Sequence, residues 1–452
     1  MLTMTEAIDR LKGKCADVFP AQLIEQTCAD VDLRFRRRTL TPVVTTYLFL
    51  EQILHGNPAV GELRHLSKLE FTEPAYCQAR GRLPVGFFRR LQRAVTGRCR
   101  RDDQLRADEL WHGHRIFLAD GSSFSMPDTQ ELQDTFGQPS GQAAGCGFPT
   151  AHLLTLFDAQ SGWLLKAIPA ALNTHDLSQV AMLHPELQAG DVLVGDTAFC
   201  SYAHLALCRQ RSLHGLFRGH QRTIFNFRPK RPHVPPGTSI KAQHKGMPRS
   251  RWLKRLGKHD QLVEYFKPEE KPAWMSAVEY AKLPASLVVR ELRVTVRIPG
   301  RRTREINLVT TLVNRRYSAR ALARLFGQRW QVETNLRHLK QTLEMDVLRC
   351  TTVPGIVKEL EIFVLAYNLV RRVMRQAACR QKVMPDRISF IDALRWLRHA
   401  LPGEELRRLK VNPDRPERVE PRVRKRRPKE FSLMNKPRAV LRKLLLVQND
   451  AA

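Results

Sequence analysis

Two short apolar runs that each end in an aspartate constrain the fold of this chain more than any other feature. Residues 115–122 read RIFLADGS, with Asp120 near the end of the run, and residues 191–196 read DVLVGD, with Asp196 at the end. Runs of this length, rich in valine, leucine, isoleucine and phenylalanine, are typical of buried β-strands. We therefore expect a sheet in which two strands each end in an acidic side chain.

The pattern around these runs alternates between strands and helices. Three early strands followed by helix, strand, helix and strand resembles the order of a ribonuclease H-like α/β sheet, in which the two aspartates lie side by side. The fold class expected for residues 111–218 is therefore α/β. The other predicted elements are strands at 152–157, 163–168 and 215–217 and helices at about 175–188 and 202–211.

A third candidate acid, Glu333, lies in a segment predicted to be one helix. At about 100° per residue, Glu333 shares an arc of roughly 80° with Phe326, Arg329, Arg337 and Lys340. On its own this pattern is common on solvated helix faces, where such charge pairs stabilise the helix. The apolar stripe expected beside it consists of Leu322, Leu325, Val332, Leu336, Leu339 and Leu343.

The pattern divides the chain into five predicted regions. A helical region contains an apolar segment at 43–54, which stops at the Gly-Asn-Pro turn of residues 56–58. A second helix after this turn is compatible with a helix-turn-helix DNA reader, although any helical hairpin has the same pattern. The regions are a helical DNA-binding domain (1–110), the first part of the core (111–218), a β-rich insertion (219–312), the second part of the core (313–400) and a basic tail (401–452).

The insertion and the tail both combine features suited to nucleic acid. Trp252 and Trp274 lie among basic residues, which suits base stacking, although aromatic residues of this kind also form the core of a small domain. The tail contains the run of residues 421–429, PRVRKRRPK, which we expect to be extended and solvated.

The net charge favours a polyanionic partner. The chain has 75 lysines and arginines against 44 aspartates and glutamates, a formal charge of +31 over 452 residues. Nucleic acid is the usual partner of such a surplus, and a basic solubilising surface or an anionic membrane is the alternative. No apolar run approaches about 18 residues. The nine cysteines contain no Cys-x-x-Cys pair, which predicts reduced thiols in a cytoplasmic protein and no zinc or disulfide framework.

Three carboxylates gathered in one place suit a hard divalent cation. Asp120 and Asp196 at neighbouring buried strand ends repel each other and need a proton or a metal. With Glu333 from a helix packed on the sheet, they would complete two Mg²⁺ or Mn²⁺ positions about 4 Å apart. Arg329 and Lys340 would then hold DNA phosphates.

At this point the sequence resembles a known family. Arg329, Glu333 and Lys340 keep the spacing of the Tyr-Arg-Glu-Lys signature of the bacterial insertion-sequence-four family of DDE transposases, with Phe326 at the tyrosine position. The run 120–122 (DGS) resembles the first aspartate motif of the family. The second aspartate motif and the amino-terminal block of one subgroup resemble residues 195–202 (GDTAFCSY), 76–80 (YCQAR) and 82–84 (RLP).

The resemblance implies a ribonuclease H-like core with a β-rich insertion, and cut-and-paste transposition from terminal inverted repeats. It implies that Asp120, Asp196 and Glu333 are the catalytic triad and bind two Mg²⁺ or Mn²⁺ ions. The DNA-binding residues would be Arg329, Lys340, Phe326 and Arg337. The implied partners are double-stranded DNA, as transposon ends and target, and a second copy of the chain in a homodimer. A bacterial cytoplasmic, nucleoid-associated location follows.

Two alternatives remain at the level of sequence. Phe326 lacks the hydroxyl of the family tyrosine, which favours a catalytically decayed DNA-binding repressor. A metal-dependent nuclease without strand transfer would use the same three acids.

Overall fold

The computed structural model describes residues 17–36, 38–66, 70–102, 110–238, 244–296, 304–400, 404–413 and 436–449. Five helices come first, and a mixed α/β body with one large sheet follows. The helices before the sheet are α1 (Ala21–Asp30), α2 (Pro42–Leu54), α3 (Val60–Leu66), α4 (Glu73–Arg82) and α5 (Val85–Asp102).

The early helices show how local sequence sets their ends. The hydroxyl of Thr41 accepts a hydrogen bond from the backbone N–H of Val44, and Pro42 occupies the first turn of α2, a favourable position for proline. The helix ends before Gly56 and Asn57, which both have positive φ. The predicted turn is therefore confirmed. Asn57 also donates a 2.6 Å hydrogen bond to Glu359, which connects the turn to a helix far along the chain.

The central feature is a nine-stranded sheet. Its first five strands are β1 (Ile116–Ser125), β2 (Thr150–Asp158), β3 (Leu164–Ala171), β4 (Val192–Gly195) and β5 (His214–Arg218). The other four are β6 (Arg251–Gly257), β7 (Asp260–Phe266), β8 (Ser286–Val296) and β9 (Arg304–Thr310). The order is β3-β2-β1-β4-β5-β9-β8-β7-β6. Strand β1 is antiparallel to β2 and parallel to β4, and β4 is parallel to β5. The insertion strands are antiparallel and join the same sheet through β5 and β9.

Helices cover this sheet and separate its strands. They are α6 (Gln130–Phe136), α7 (Asp176–Gln179), α8 (Tyr202–Gln210), α9 (Ala277–Ala281), α10 (Ala319–Gly327), α11 (Trp330–Arg337), α12 (Val353–Gln381), α13 (Phe390–His399) and α14 (Arg438–Asn449). The long helix α12 packs against β3, α5, α2 and α13, and most of its residues from Ile356 to Met374 are buried. It therefore joins the early helices to the sheet.

Two predicted helices differ from the structure. The helix expected at 175–188 is wrong beyond its first turn, because α7 is followed by two 3₁₀ turns, Val180–Met182 and His184–Glu186, the second of which has Pro185 in its first turn. The single helix expected across 322–343 is also wrong. It is divided into α10, α11 and a π-helical turn at His338–Thr342.

The division between α10 and α11 follows Gly327, a residue of low helix propensity. From Gln328 to Val332 the backbone bonds tighten to the i to i+3 pattern, as between Val332 N–H and the Arg329 carbonyl (3.0 Å). The predicted apolar stripe is nevertheless confirmed, since its six leucine and valine side chains are all buried in the core.

Two further findings concern predictions made from composition. No helix among the described residues is long and apolar enough to cross a membrane. The basic run 421–429 predicted to be extended lies outside the described residues, whereas α14 in the same tail is helical.

Candidate active site

Asp120 and Asp196 lie side by side on adjacent parallel strands, where β4 ends. The expectation that both strands end in an aspartate is confirmed for Asp196 and wrong for Asp120, because β1 continues to Ser125 through its pairing with β2. Leu118 of β1 pairs with Val194 of β4, and each aspartate lies two residues beyond this pair. Because side chains alternate along a strand, both carboxylates leave the sheet on the same side. Asp196 accepts a 2.7 Å hydrogen bond from Ala198 N–H as the N-cap of the 3₁₀ turn Thr197–Phe199, which fixes its orientation.

Asp120 is in an environment that disfavours its charged form. Burial raises the pKa of Asp120 to about 6, the Arg329 guanidinium lowers it in part, and the nearby Asp196 carboxylate raises it. The side chain keeps 17% exposure. Two aspartates close enough to repel each other at a partly open strand edge are the arrangement that a cation stabilises.

Arg329 joins the sheet edge to the third acid. One guanidinium nitrogen donates to Asp120 Oδ2 at 3.0 Å, and the other donates to Glu333 Oε1 at 3.1 Å. The two bridged carboxylate oxygens are therefore at most about 8 Å apart, given the fixed fork of the guanidinium group. Arg329 lies at the tightened junction before α11, and Glu333 in the first turn of that helix has 46% exposure. The structure thus brings all three predicted acids to one edge.

The three other side chains predicted to bind DNA, Arg337, Lys340 and Phe326, differ in exposure and contacts. Arg337 is exposed. Lys340, in the π-helical turn, forms a 3.2 Å ion pair with Asp346. The DNA contact of Phe326 stays a prediction, and the structure shows that its ring is 8% exposed and packs in the hydrophobic core. The loss of a tyrosine hydroxyl here therefore affects a core position.

A comparison with protein-family models identifies the family of this chain. Residues 111–369 match the family model described as Transposase DDE domain, and this range starts before β1 and ends within α12. The match covers more than half of the chain. The chain belongs to the DDE transposase family. The sequence-based prediction of family membership is therefore confirmed.

A curated relative of this DDE transposase is the transposase InsG for insertion sequence element IS4 from Escherichia coli. The two are 25% identical over 342 residues, which cover 71% of this chain and 70% of the relative. Among solved structures, this chain is similar to the cryo-EM structure of the piggyBac transposase synaptic complex with hairpin DNA. The alignment covers 86% of this chain and 78% of the chain in that structure. That alignment has 13% identity and a TM-score of 0.43.

Sequence reasoning missed an exposed tryptophan on α11, the helix of the transposase that carries Glu333. Trp330, next to Arg329, is 41% exposed, and the Arg329 guanidinium lies 5.5 Å from its ring centre. Trp252 and Trp274, the two tryptophans considered from sequence, are partly buried in the insertion. The signal that could have found Trp330 is its position inside the Arg-x-x-x-Glu spacing, at a point where the apolar stripe does not need it.

A histidine–aspartate pair next to β1 was also missed. His152 of β2 and Asp176 of α7 are joined by a 2.6 Å hydrogen bond between Nε2 and Oδ1. The Asp176 carboxylate lies where a side chain at Gly121 would be, 2.7 Å from an ideal Cβ at that position. The glycine after Asp120 is thus required by packing, and Asp176 adds a further negative charge near Asp120.

A large cleft of the transposase has Lys340 in its lining. Its volume is about 1490 Å³, and it opens between the early helices and the segment that follows the π-helical turn. Lys340, Arg349 and Lys358 contribute positive charge to its lining, which does not include Asp120, Asp196 or Glu333.

Proposed function

We propose that this transposase cuts DNA at the terminal inverted repeats of an insertion sequence and joins the ends to a target. The single observation that carries the proposal is the edge at which β1 and β4 place Asp120 and Asp196 in register while Arg329 links Asp120 to Glu333. The strand order β3-β2-β1-β4-β5, with three antiparallel strands followed by two parallel ones, supports a ribonuclease H-like core.

The donor set fits hard divalent cations. DDE transposases in general use divalent metal ions, and here three carboxylates offer only oxygen ligands at an edge open to solvent. We propose that Asp120, Asp196 and Glu333 hold two Mg²⁺ or Mn²⁺ ions. Such ions supply the activation of water or of a 3′-hydroxyl and the stabilisation of the leaving oxygen.

The residues around the acids would position the DNA. Arg329 is a planar donor that matches phosphate geometry, so it can exchange one of its carboxylate partners for a backbone phosphate. Lys340, in the lining of the cleft, would contact the next phosphates, and exposed Arg337 would extend this contact. Trp330 offers a ring on which a base can stack.

The proposed division of labour follows the predicted regions. We assign DNA-end binding to the helical region 1–110, chemistry to the core regions 111–218 and 313–400, and further DNA contacts to the insertion 219–312 and the tail 401–452. A homodimer that holds two ends together is part of the proposal, because joining both ends at one target requires two such sites near each other.

The test is cleavage and strand transfer on DNA that contains the inverted repeats flanking the gene. Asp120→Asn, Asp196→Asn and Glu333→Gln should each abolish both reactions while band-shift binding to the ends persists. The matched control is Asp134→Asn, a change at an exposed aspartate of α6. Retained cleavage in one of the three variants would remove that residue from the triad.

The two alternatives give different results in the same assay. A decayed repressor would bind the ends with no cleavage in Mg²⁺ or Mn²⁺ even in the wild-type protein. A nuclease would cleave the ends without producing joined products. The intact acidic edge argues against the first, and the strand-transfer product decides the second.

A further inference from the structure

A buried cluster of two histidines and one cysteine lies apart from the acidic edge. His184 begins the second 3₁₀ turn after α7, and His204 and Cys208 lie one turn apart on α8, on the same face. The three side chains are 3%, 0% and 0% exposed, and their ligand atoms all lie within 4.8 Å of one another. Neither the family match nor the proposed chemistry gives these residues a role.

The spacing of the two histidines already suits a tetrahedral metal. Their Nε2 atoms are 3.1 Å apart. Two nitrogens bound to Zn²⁺ at about 2.0–2.1 Å with tetrahedral angles are about 3.3 Å apart. Metal binding would therefore need little movement of either ring.

The hydrogen bonds fix which nitrogen of His204 is available. His204 Nδ1 donates to the backbone carbonyl of Phe199 at 2.7 Å, so the proton is on Nδ1 and the lone pair on Nε2 faces His184. A histidine that binds a metal typically donates its other ring N–H to an acceptor of this kind, which orients the ring.

The cluster is poorly satisfied as a set of ordinary hydrogen bonds. One N–H of His184 can bridge the two Nε2 atoms, but His184 Nδ1 is buried and has no hydrogen-bond partner among the described residues. Both rings are buried, which disfavours the charged imidazolium and favours the neutral imidazole that binds metals.

We propose that His184, His204 and Cys208 bind a Zn²⁺ ion. Two imidazole nitrogens and a thiolate sulfur favour Zn²⁺ over Mg²⁺, which prefers oxygen ligands, so this site is chemically distinct from the acidic edge. When Zn²⁺ binds, the Cys208 thiol loses its proton to solvent and coordinates as a thiolate. A water molecule completes the tetrahedron.

The position of the site gives it a supporting role for the second aspartate. The Phe199 carbonyl that orients His204 belongs to the 3₁₀ turn capped by Asp196. The Phe199 ring also packs against Gly195, where a Cβ would be 2.6 Å from the ring. Zinc would hold α8 against the His184–Glu186 turn, and His204 would connect this joint to the 3₁₀ turn that Asp196 caps.

Cobalt substitution tests the site without any measurement of transposition. We expect the full-length protein to purify with roughly one Zn²⁺ per chain. After zinc is exchanged for Co²⁺, it should show a sulfur-to-cobalt charge-transfer band in the near ultraviolet. Cys208→Ser should lose this band, and Cys28→Ser, at a buried thiol of α1 outside the cluster, should keep it.

A second variant guards against a folding failure. His184→Gln keeps the thiol and should bind Co²⁺ at least tenfold more weakly, with the folded state checked by circular dichroism. Absence of the band in the wild-type protein, or its persistence in Cys208→Ser, would overturn the proposal. Because the readout is metal content and a spectrum, it is independent of whether the protein cleaves DNA.

Discussion

Two groups of acids, one around the β1–β4 pair and one in the insertion, behave in opposite ways. At the edge formed by β1 and β4, Asp120 and Glu333 share a single arginine and remain partly open to solvent. In the insertion, Glu291 of β8 is 0% exposed and accepts hydrogen bonds from Gln261 (2.8 Å) and Tyr265 (3.0 Å). The first group has spare acceptor capacity, and the second has little.

The insertion also contains a saturated ion pair. Arg290 donates to both oxygens of Asp260, at 2.7 and 2.5 Å, and to the Tyr317 carbonyl at 2.7 Å. Acids whose oxygens are all used by the protein stabilise the fold, whereas acids with free oxygens at an accessible edge can bind something else. Acids that stabilise the fold therefore differ from acids that can bind a ligand in their exposure and in their unused hydrogen-bond acceptors. They do not differ in residue type.

The largest effect is expected at Glu333. Glu333→Gln should lower cleavage by on the order of 10³-fold or more, because a neutral amide cannot replace a carboxylate metal ligand. The free energy of unfolding should change by less than about 0.5 kcal/mol, since the side chain is on the surface. Single-turnover cleavage and denaturant unfolding measure the two quantities. A large loss of stability would make Glu333 resemble the acids of the insertion and would remove the contrast.

The opposite pattern is expected at Asp260. Asp260→Ala leaves the Arg290 charge buried without its partner and should cost about 3–5 kcal/mol of folding stability. Cleavage per folded molecule should stay near the wild-type level at a temperature where the variant is folded. Glu305→Ala, at an exposed residue of β9, is the control and should leave stability nearly unchanged. Loss of cleavage in folded Asp260→Ala would show that the two groups of acids are coupled.

An intermediate effect is expected at the bridging arginine. Arg329→Lys keeps the charge but cannot bridge Asp120 and Glu333 with a planar fork, so cleavage should fall by roughly 10²-fold. End binding, measured by band shift, should weaken less than tenfold, because other cations still contact the phosphates. Full activity in the lysine variant would mean that the charge alone matters and that the fork geometry does not.

The smallest effect is expected at Trp330. Trp330→Ala should weaken binding to DNA ends that contain an unpaired base by about 1–3 kcal/mol, and Trp330→Phe should restore most of this loss. Thermal unfolding should be unchanged in both variants. Ile391→Ala, at an exposed apolar residue of α13, should leave binding unaffected. Equal weakening by Trp330→Ala and Trp330→Phe would argue against stacking.

The strands were predictable because each is a compact apolar run between turn residues. The expected runs at 115–122, 152–157 and 191–196 correspond to β1, β2 and β4, and the parallel pairing of β1 with β4 then places both aspartates at one edge. The candidate site was accessible from sequence for the same reason, since Asp120 lies within β1, Asp196 directly follows β4, and Glu333 lies on a helix.

The rest depended on features that periodicity does not contain. The apolar spacing of residues 322–343 is compatible with a continuous helix, and the tightening after Gly327 and the π-helical turn preserve that spacing. Phe326 looked like part of the charged face because the arc was drawn on an ideal helix. The His184, His204 and Cys208 cluster joins two elements that are distant in the pattern, so no local motif could indicate it.

The pairing of β9 with β5 has a consequence for how the protein is made. A nascent chain that has left the ribosome only as far as β5 already contains both aspartates, but its sheet ends in an unpaired strand and it lacks Glu333. The insertion must be synthesised and β9 must pair with Leu216, Phe217 and Arg218 before that strand is covered. All nine strands precede Glu333 in the chain, so the three acids can come together only after the whole sheet has been synthesised.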